Sequence, residues 1–143
     1  MAQKSEDAGT YQLSDQVGFN LRRANQRHIA IFSQHIRELT PTQFAVLARL
    51  YEKGALSQNK LGRLTAMDSA TVKGVVERVR AKGLVSSSSD PNDQRLRVVD
   101  LTDAGRKLFE QAQSQARAAR LETLQPLSDD EARTFETLLA KLV

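Results

Sequence analysis

The chain has 143 residues, 40% hydrophobic and 27% charged, with 7 Gly and 3 Pro, a balance that fits one folded domain with an extension and excludes a linker or a disordered chain. There is no Cys, which excludes disulfides, thiolate metal sites and thiol catalysis. The net charge is +4, and all of it lies between Ser57 and Arg97, where Lys60, Arg63, Lys73, Arg78, Arg80, Lys82, Arg95 and Arg97 outnumber Asp68, Glu77, Asp90 and Asp93. A basic block in an otherwise neutral chain is the electrostatic footprint of a polyanion binder, although a solvated surface has the same composition.

Met1 to Thr10 is polar and lacks an apolar h-region. No apolar run approaches the ~20 residues of a membrane helix. A cytoplasmic chain with a flexible N-terminus (residues 1–12) and no membrane partner is expected. A first helix is predicted from about Leu13 to Arg37, because Leu13, Val17, Leu21, Ala24, His28, Phe32, His35 and Leu39 recur in steps of three and four. Thr40-Pro41-Thr42-Gln43 then starts a second helix, with Thr40 as cap, Pro41 in the first turn and Gln43 closing a capping box. Phe44, Leu47, Leu50 and Tyr51 face inward, and Gly54 can end the helix in a left-handed conformation.

Ser57 opens a short third helix with Leu61 and Leu64 as its contacts. After Thr65-Ala66-Met67, Asp68 caps a fourth helix whose inner stripe is Val72, Val75, Val76 and Val79. Valines are poor helix formers, so tertiary packing must hold this helix. Leu84 to Ser87 and Gln94 to Leu101 read as the two strands of a hairpin around Asp90-Pro91-Asn92-Asp93. In that reading Leu96 and Val98 point inward, while Arg95 and Arg97 share the outer face. Thr102 caps a long helix carrying Ala104, Leu108, Ala112, Ala116, Ala119 and Leu124, which Pro126 ends. Ser128-Asp129-Asp130-Glu131 caps a last helix bearing Phe135, Leu138, Leu139 and Leu142.

These elements predict a mainly α fold with a small β-hairpin wing. Residues 40–101 form a winged helix-turn-helix core. Residues 13–39 and 102–143 supply helices for a dimerisation region, because two separated amphipathic ends need each other and a second copy of the chain. The partner expected for the core is double-stranded DNA, with the fourth helix in the major groove. Ser69, Ala70, Thr71, Lys73 and Gly74 lie toward bases and phosphates there, and Arg78 toward phosphate. Gly74 has an alternative use as a packing glycine. Ser57, Gln58 and Asn59 open the third helix beside them. At the hairpin tip Arg95 can enter a narrow minor groove, with Arg97 on the same face. Asp93 can hold Arg95 by a bidentate pair, or simply form a surface salt bridge.

His28 and His35 are the only histidines. At ~1.5 Å per residue they stand roughly 10 Å apart along the first helix, too far to share one metal ion within a chain. They read either as structural histidines or, with Phe32 and Phe44, as the wall of a ligand pocket between the first helix and the DNA-binding core. No Gly-rich phosphate loop, His-Glu metal motif or nucleophile elbow is present, so neither catalysis nor a cofactor or metal is expected. A sequence-tolerant architectural DNA binder and a winged-helix module for protein contacts are the competing classes.

Five segments together carry a family resemblance: Leu39 to Leu47, Asp68 to Val72, Lys82 to Val85, Asp90 to Arg95, and Leu101 to Arg106. In order and spacing they resemble the second helix, recognition helix, wing and fifth helix of the MarR family. The resemblance implies a homodimer on a pseudo-palindromic operator, usually a repressor released by a small aromatic acid bound between the first helix and the DNA-binding core. It also implies the Asp93/Arg95 wing pair. Where the family often carries a basic residue after the Gly-Leu of the first wing strand, this chain has Ser86 to Ser89. The run Arg22 to His28 resembles regulators of nicotinate degradation, which implies a hydroxylated pyridine carboxylate as effector.

Overall fold

The computed structural model describes residues 9–143. Residues 1–8, most of the expected flexible N-terminus, lie outside the described residues. Among the described residues six α-helices accompany a small sheet. They are α1 (Val17–His35), α2 (Pro41–Lys53), α3 (Gln58–Leu64), α4 (Ser69–Ala81), α5 (Asp103–Leu124) and α6 (Asp129–Ala140). The strands are β1 (Leu56–Ser57), β2 (Val85–Ser89) and β3 (Arg97–Leu101), antiparallel in the order β1-β3-β2.

Side-chain caps fix the starts of α2 to α6. Thr40 Oγ1 accepts from the Gln43 amide while Gln43 Oε1 accepts from the Thr40 amide, so the capping box of α2 is complete. Ser57, Asp68 and Thr102 cap α3, α4 and α5, and Ser128 with Glu131 forms a second capping box on α6. Each cap satisfies a backbone N–H that the first helical turn leaves without a partner.

The core lies among α1, α2, α4, α5 and the sheet. Val72, Val75, Val76 and Val79 are all buried, as their spacing predicts, beside Val46, Leu47, Leu50 and Leu61. Four details differ from the sequence reading. The first helix begins at Val17, because extended Gln16 separates it from a short 3-10 turn at Leu13–Asp15. Its buried residues include Ile31, while Leu13, Val17 and Leu21 are exposed. Phe109 and Gly105 join Ala112 and Ala119 on the buried side of α5.

The fourth difference is the register of the wing. β3 starts at Arg97, and its buried residue is Val99, on the same face as Arg97 and Leu101. Leu96 lies exposed in the turn and Val98 pairs with Ser88. The predicted alternation is thus shifted by one residue. Two inward positions are too few to fix a register, and the turn withdraws Gln94–Leu96 from the ladder. β1, only two residues long, adds a third strand beside Val98 and Val99.

Candidate nucleic-acid interface

α3 and α4 form the helix-turn-helix, and their closeness follows from glycine. A Cβ on Gly62 would stand 3.1 Å from Met67 O and 3.2 Å from Val72 Cγ1. The turn between the helices carries Ala66 at φ 55°, a left-handed conformation. Asp68 then caps α4 by accepting from the Thr71 amide at 2.7 Å. That bond holds the Asp68 carboxyl below its ordinary pKa.

From this start α4 presents Ser69, Ala70, Thr71 and Lys73 to solvent. A Cβ on Gly74 would meet only the Arg78 guanidinium, at 3.6 Å. Gly74 therefore makes no close internal packing contact, and Arg78 lies alongside it on the outer surface.

Three elements meet beside this helix. A cleft of about 120 Å³ is lined by Gln58, Lys73, Glu77, Arg80, Ser87 and Arg97, so α3, α4 and both long strands contribute to it. A second cleft joins Ser57, Gln58 and Asn59 to Arg95, Leu96 and Arg97. Gln58 and Arg97 belong to both. The structure thus brings the start of α3, the outer side of α4 and the wing onto one basic surface. Arg80 was not among the sequence candidates. Its signal was present, since Lys73, Glu77 and Arg80 recur in steps of four and three.

The wing tip is shaped by its own side chains. Asp90 Oδ1 accepts from the Asn92 amide at 2.7 Å, and Asp93 Oδ1 from the Arg95 amide at 3.0 Å. These Asx turns shape the loop together with the backbone bonds from the Asp90 amide to Leu96 O and from the Leu96 amide to Asp93 O. Arg95 Nε donates to the same Asp93 oxygen at 3.2 Å, so the pair uses one carboxylate oxygen and is not bidentate. The Arg95 side chain is 90% exposed.

Residues 39–96 match the MarR family. The chain is 44% identical over 106 residues to the HTH-type transcriptional repressor NicR of Pseudomonas putida, covering 73% of this chain and 67% of that protein. The chain belongs to the MarR family. A probable transcriptional regulator from Pseudomonas aeruginosa shares its fold with a TM-score of 0.88 and 51% identity, over 92% of this chain and all of that one. BpsR of Bordetella bronchiseptica, whose DNA binding is regulated by 6-hydroxynicotinic acid, superimposes with a TM-score of 0.87 at 43% identity, over 94% and 97% of the two chains. MarR-family proteins of this kind are winged-helix transcriptional regulators that bind DNA, not enzymes. Among the described residues no helix is long and apolar enough to cross a membrane.

Of the four residues expected to line a ligand pocket, His28, Phe32 and Phe44 form one aromatic row and His35 stands apart on Glu122. Phe32 is buried with its ring between His28 and Phe44, at centroid distances of 6.2 and 5.7 Å. Phe44 packs in turn on Phe109 at 5.2 Å. Both phenylalanines are thus engaged in core packing. His35 Nε2 meets Glu122 at 3.4 Å. His28 alone reaches an open cleft, of about 500 Å³, and this lies among α1, α5 and α6 instead of against the DNA-binding core. Leu21, Ala24, Leu124, Phe135 and Leu139 make its walls largely apolar. Local periodicity could not locate it, because α6 is remote from α1 in sequence.

Hydrogen bonding orients the His28 ring. Thr123 Oγ1 donates to Ala119 O at 2.8 Å, so it accepts from His28 Nδ1, also at 2.8 Å. The ring is thereby held as the Nδ1–H form, which leaves Nε2 for another group. Arg120 pairs through two nitrogens with Glu136, at 2.8 and 2.6 Å, across the α5 and α6 sides of the cleft. Arg27 donates to the Thr123 and Glu122 carbonyls at 2.7 and 3.2 Å, satisfying the last turn of α5.

Proposed function

We propose that this chain is a homodimeric, sequence-specific repressor that leaves a pseudo-palindromic operator when a small aromatic carboxylate binds. The observation that carries the DNA reading is the convergence of α3, α4 and the wing on the cleft of Lys73, Arg80 and Arg97. In this reading Ser69, Ala70, Thr71, Lys73 and Gly74 approach base edges. Ser57, Gln58, Asn59, Arg78 and Arg97 hold the backbone, and Arg95, steadied by Asp93, enters the minor groove. Residues 40–101 act as the DNA-binding unit. Residues 13–39 and 102–143 act as the dimerisation unit, around the exposed Leu13, Val17, Leu21, Leu121, Phe135, Leu138 and Leu142.

The effector reading rests on His28 in an apolar cleft, and on the regulation of BpsR by 6-hydroxynicotinic acid. A flat pyridine carboxylate suits those walls, and His28 Nε2 supplies a polar anchor. The core positions of Phe32 and Phe44 support a structural role for them beside the site.

Selection of a duplex from a randomised pool tests the DNA reading. A specific regulator loses roughly 1–3 kcal/mol per mismatched base pair. Equal affinity for every duplex would indicate an architectural binder, and no binding would indicate a protein-contact module. On the selected duplex, Arg95→Ala is expected to weaken binding and lower the salt slope by about one. An unchanged slope would remove Arg95 from the interface. For the effector, 6-hydroxynicotinic acid is expected to raise the melting temperature of the native chain, and His28→Ala to abolish the rise. An undiminished shift in His28→Ala would exclude this cleft.

A further inference from the structure

Lys82 stands at the C-terminal end of α4, about 20 Å along the helix from its DNA-facing start. Its charge belongs to the basic block of the sequence and the residue is exposed, yet its ammonium is bonded to protein oxygens. Lys82 Nζ donates to Glu38 O at 2.8 Å and to Gln43 Oε1 at 3.0 Å. Glu38 lies in the joint between α1 and α2. Gln43 is the buried polar side chain of the core, only 6% exposed, and its Oε1 also accepts from the Thr40 amide. One amide oxygen therefore closes the capping box of α2 and receives the end of α4.

We propose that Lys82 is a positioning residue: it fixes α4 to the α1–α2 joint and so sets the distance between the two recognition helices of the dimer. Two of its three donors are committed to protein oxygens, at the end of α4 away from the proposed base contacts. Charge-assisted bonds to a backbone carbonyl and a buried amide are stronger than neutral ones. They act at the end of α4 remote from the proposed base contacts, where a small tilt becomes a larger displacement at Ser69. The proposal rests on the dimeric, operator-binding reading for its consequence, but not for its geometry.

Two measurements on the full chain test it. The chain has no Cys, so Gln34→Cys and Ala70→Cys, on exposed positions of α1 and α4, take spin labels cleanly. The distance between them, in labelled chain diluted with unlabelled, is expected to be narrowly distributed, and Lys82→Met to broaden it. An unchanged distribution would overturn the proposal. The second measurement uses a duplex selected on the native chain, and the same duplex with one base pair inserted between its half-sites. Lys82→Met is expected to bind the selected duplex about tenfold more weakly, or about 1.4 kcal/mol. The preference for native spacing should fall at least threefold, with the salt slope unchanged.

Lys82→Arg should restore that preference, and Gln43→Glu, which keeps the acceptor oxygens, should leave it at or above the native value. A mere loss of folded protein would weaken both duplexes alike, so an unchanged preference would overturn the role. So would a salt slope lowered by about one, which would mark a phosphate contact. A native chain that selects no duplex would defeat the operator reading, while the spin-label distance would still decide the position of α4.

Discussion

Gly105→Ala is expected to destabilise the fold by about 3 kcal/mol, at the upper end of what overpacking a core costs. A Cβ there would lie 2.0 Å from Leu84 O and 2.9 Å from Leu84 C, both backbone atoms. No rotamer change can relieve such a clash. Either the start of α5 or the start of the wing has to move. Both are tied down at that point. Thr102 Oγ1 accepts from the Gly105 amide at 3.1 Å and donates to Gly83 O at 2.7 Å, while the Thr102 amide donates to Leu84 O at 3.1 Å. The wing and the end of α4 thus hang from the first turn of α5. A lower denaturant midpoint with an unchanged m-value is the expected result. A shift under about 1 kcal/mol would mean that the junction yields freely. Gly74, whose surroundings leave room for a methyl group, shows that not every helical glycine here is a packing requirement.

If the proposed dimer forms through α6, the double variant Leu138→Glu, Leu142→Glu is expected to sediment as a monomer at concentrations where the native chain sediments as a dimer. Leu138 is 53% and Leu142 68% exposed within one chain, so replacing them removes little from its core. Exposed apolar residues on both α1 and α6 form a surface that an isolated soluble protein rarely presents. Losing the second half-site removes the gain from bivalent binding, so operator affinity should fall by about 100-fold or more. A double variant that remains dimeric would take α6 out of the proposed interface.

Much of this architecture is legible in the sequence because its signals are local. Thr40 with Gln43, Asp68 and Ser128 announce their helices by short-range capping, and the valines of α4 reveal its buried face by their spacing. The five family segments add order to these pieces. The wing register was not legible, since the turn from Asp90 to Leu96 decides where pairing begins and uses side-chain-to-backbone bonds to do so. The bonding of Lys82 to the α1–α2 joint depends on elements distant in sequence, whereas Arg80 follows Lys73 and Glu77 in local spacing. The His28 cleft depends on where α6 packs. By contrast, Ile31 and Phe109 had the right chemistry, but a single helical stripe drawn through other residues passed them over.

Under the proposed effector reading, the ties between α1 and the end of α5 constrain how the molecule can respond to a ligand. Arg27 and His28 together make three hydrogen bonds to Glu122 and Thr123, and sliding one helix along the other would break all of them at once. At about 0.5–1.5 kcal/mol net for each, the sum rivals the coupling energy of a typical allosteric effector. The two helices should therefore travel as one lever, with its fulcrum in the short Ile36–Thr40 joint. Hydrogen exchange would show this as a single protected block spanning α1 and α5.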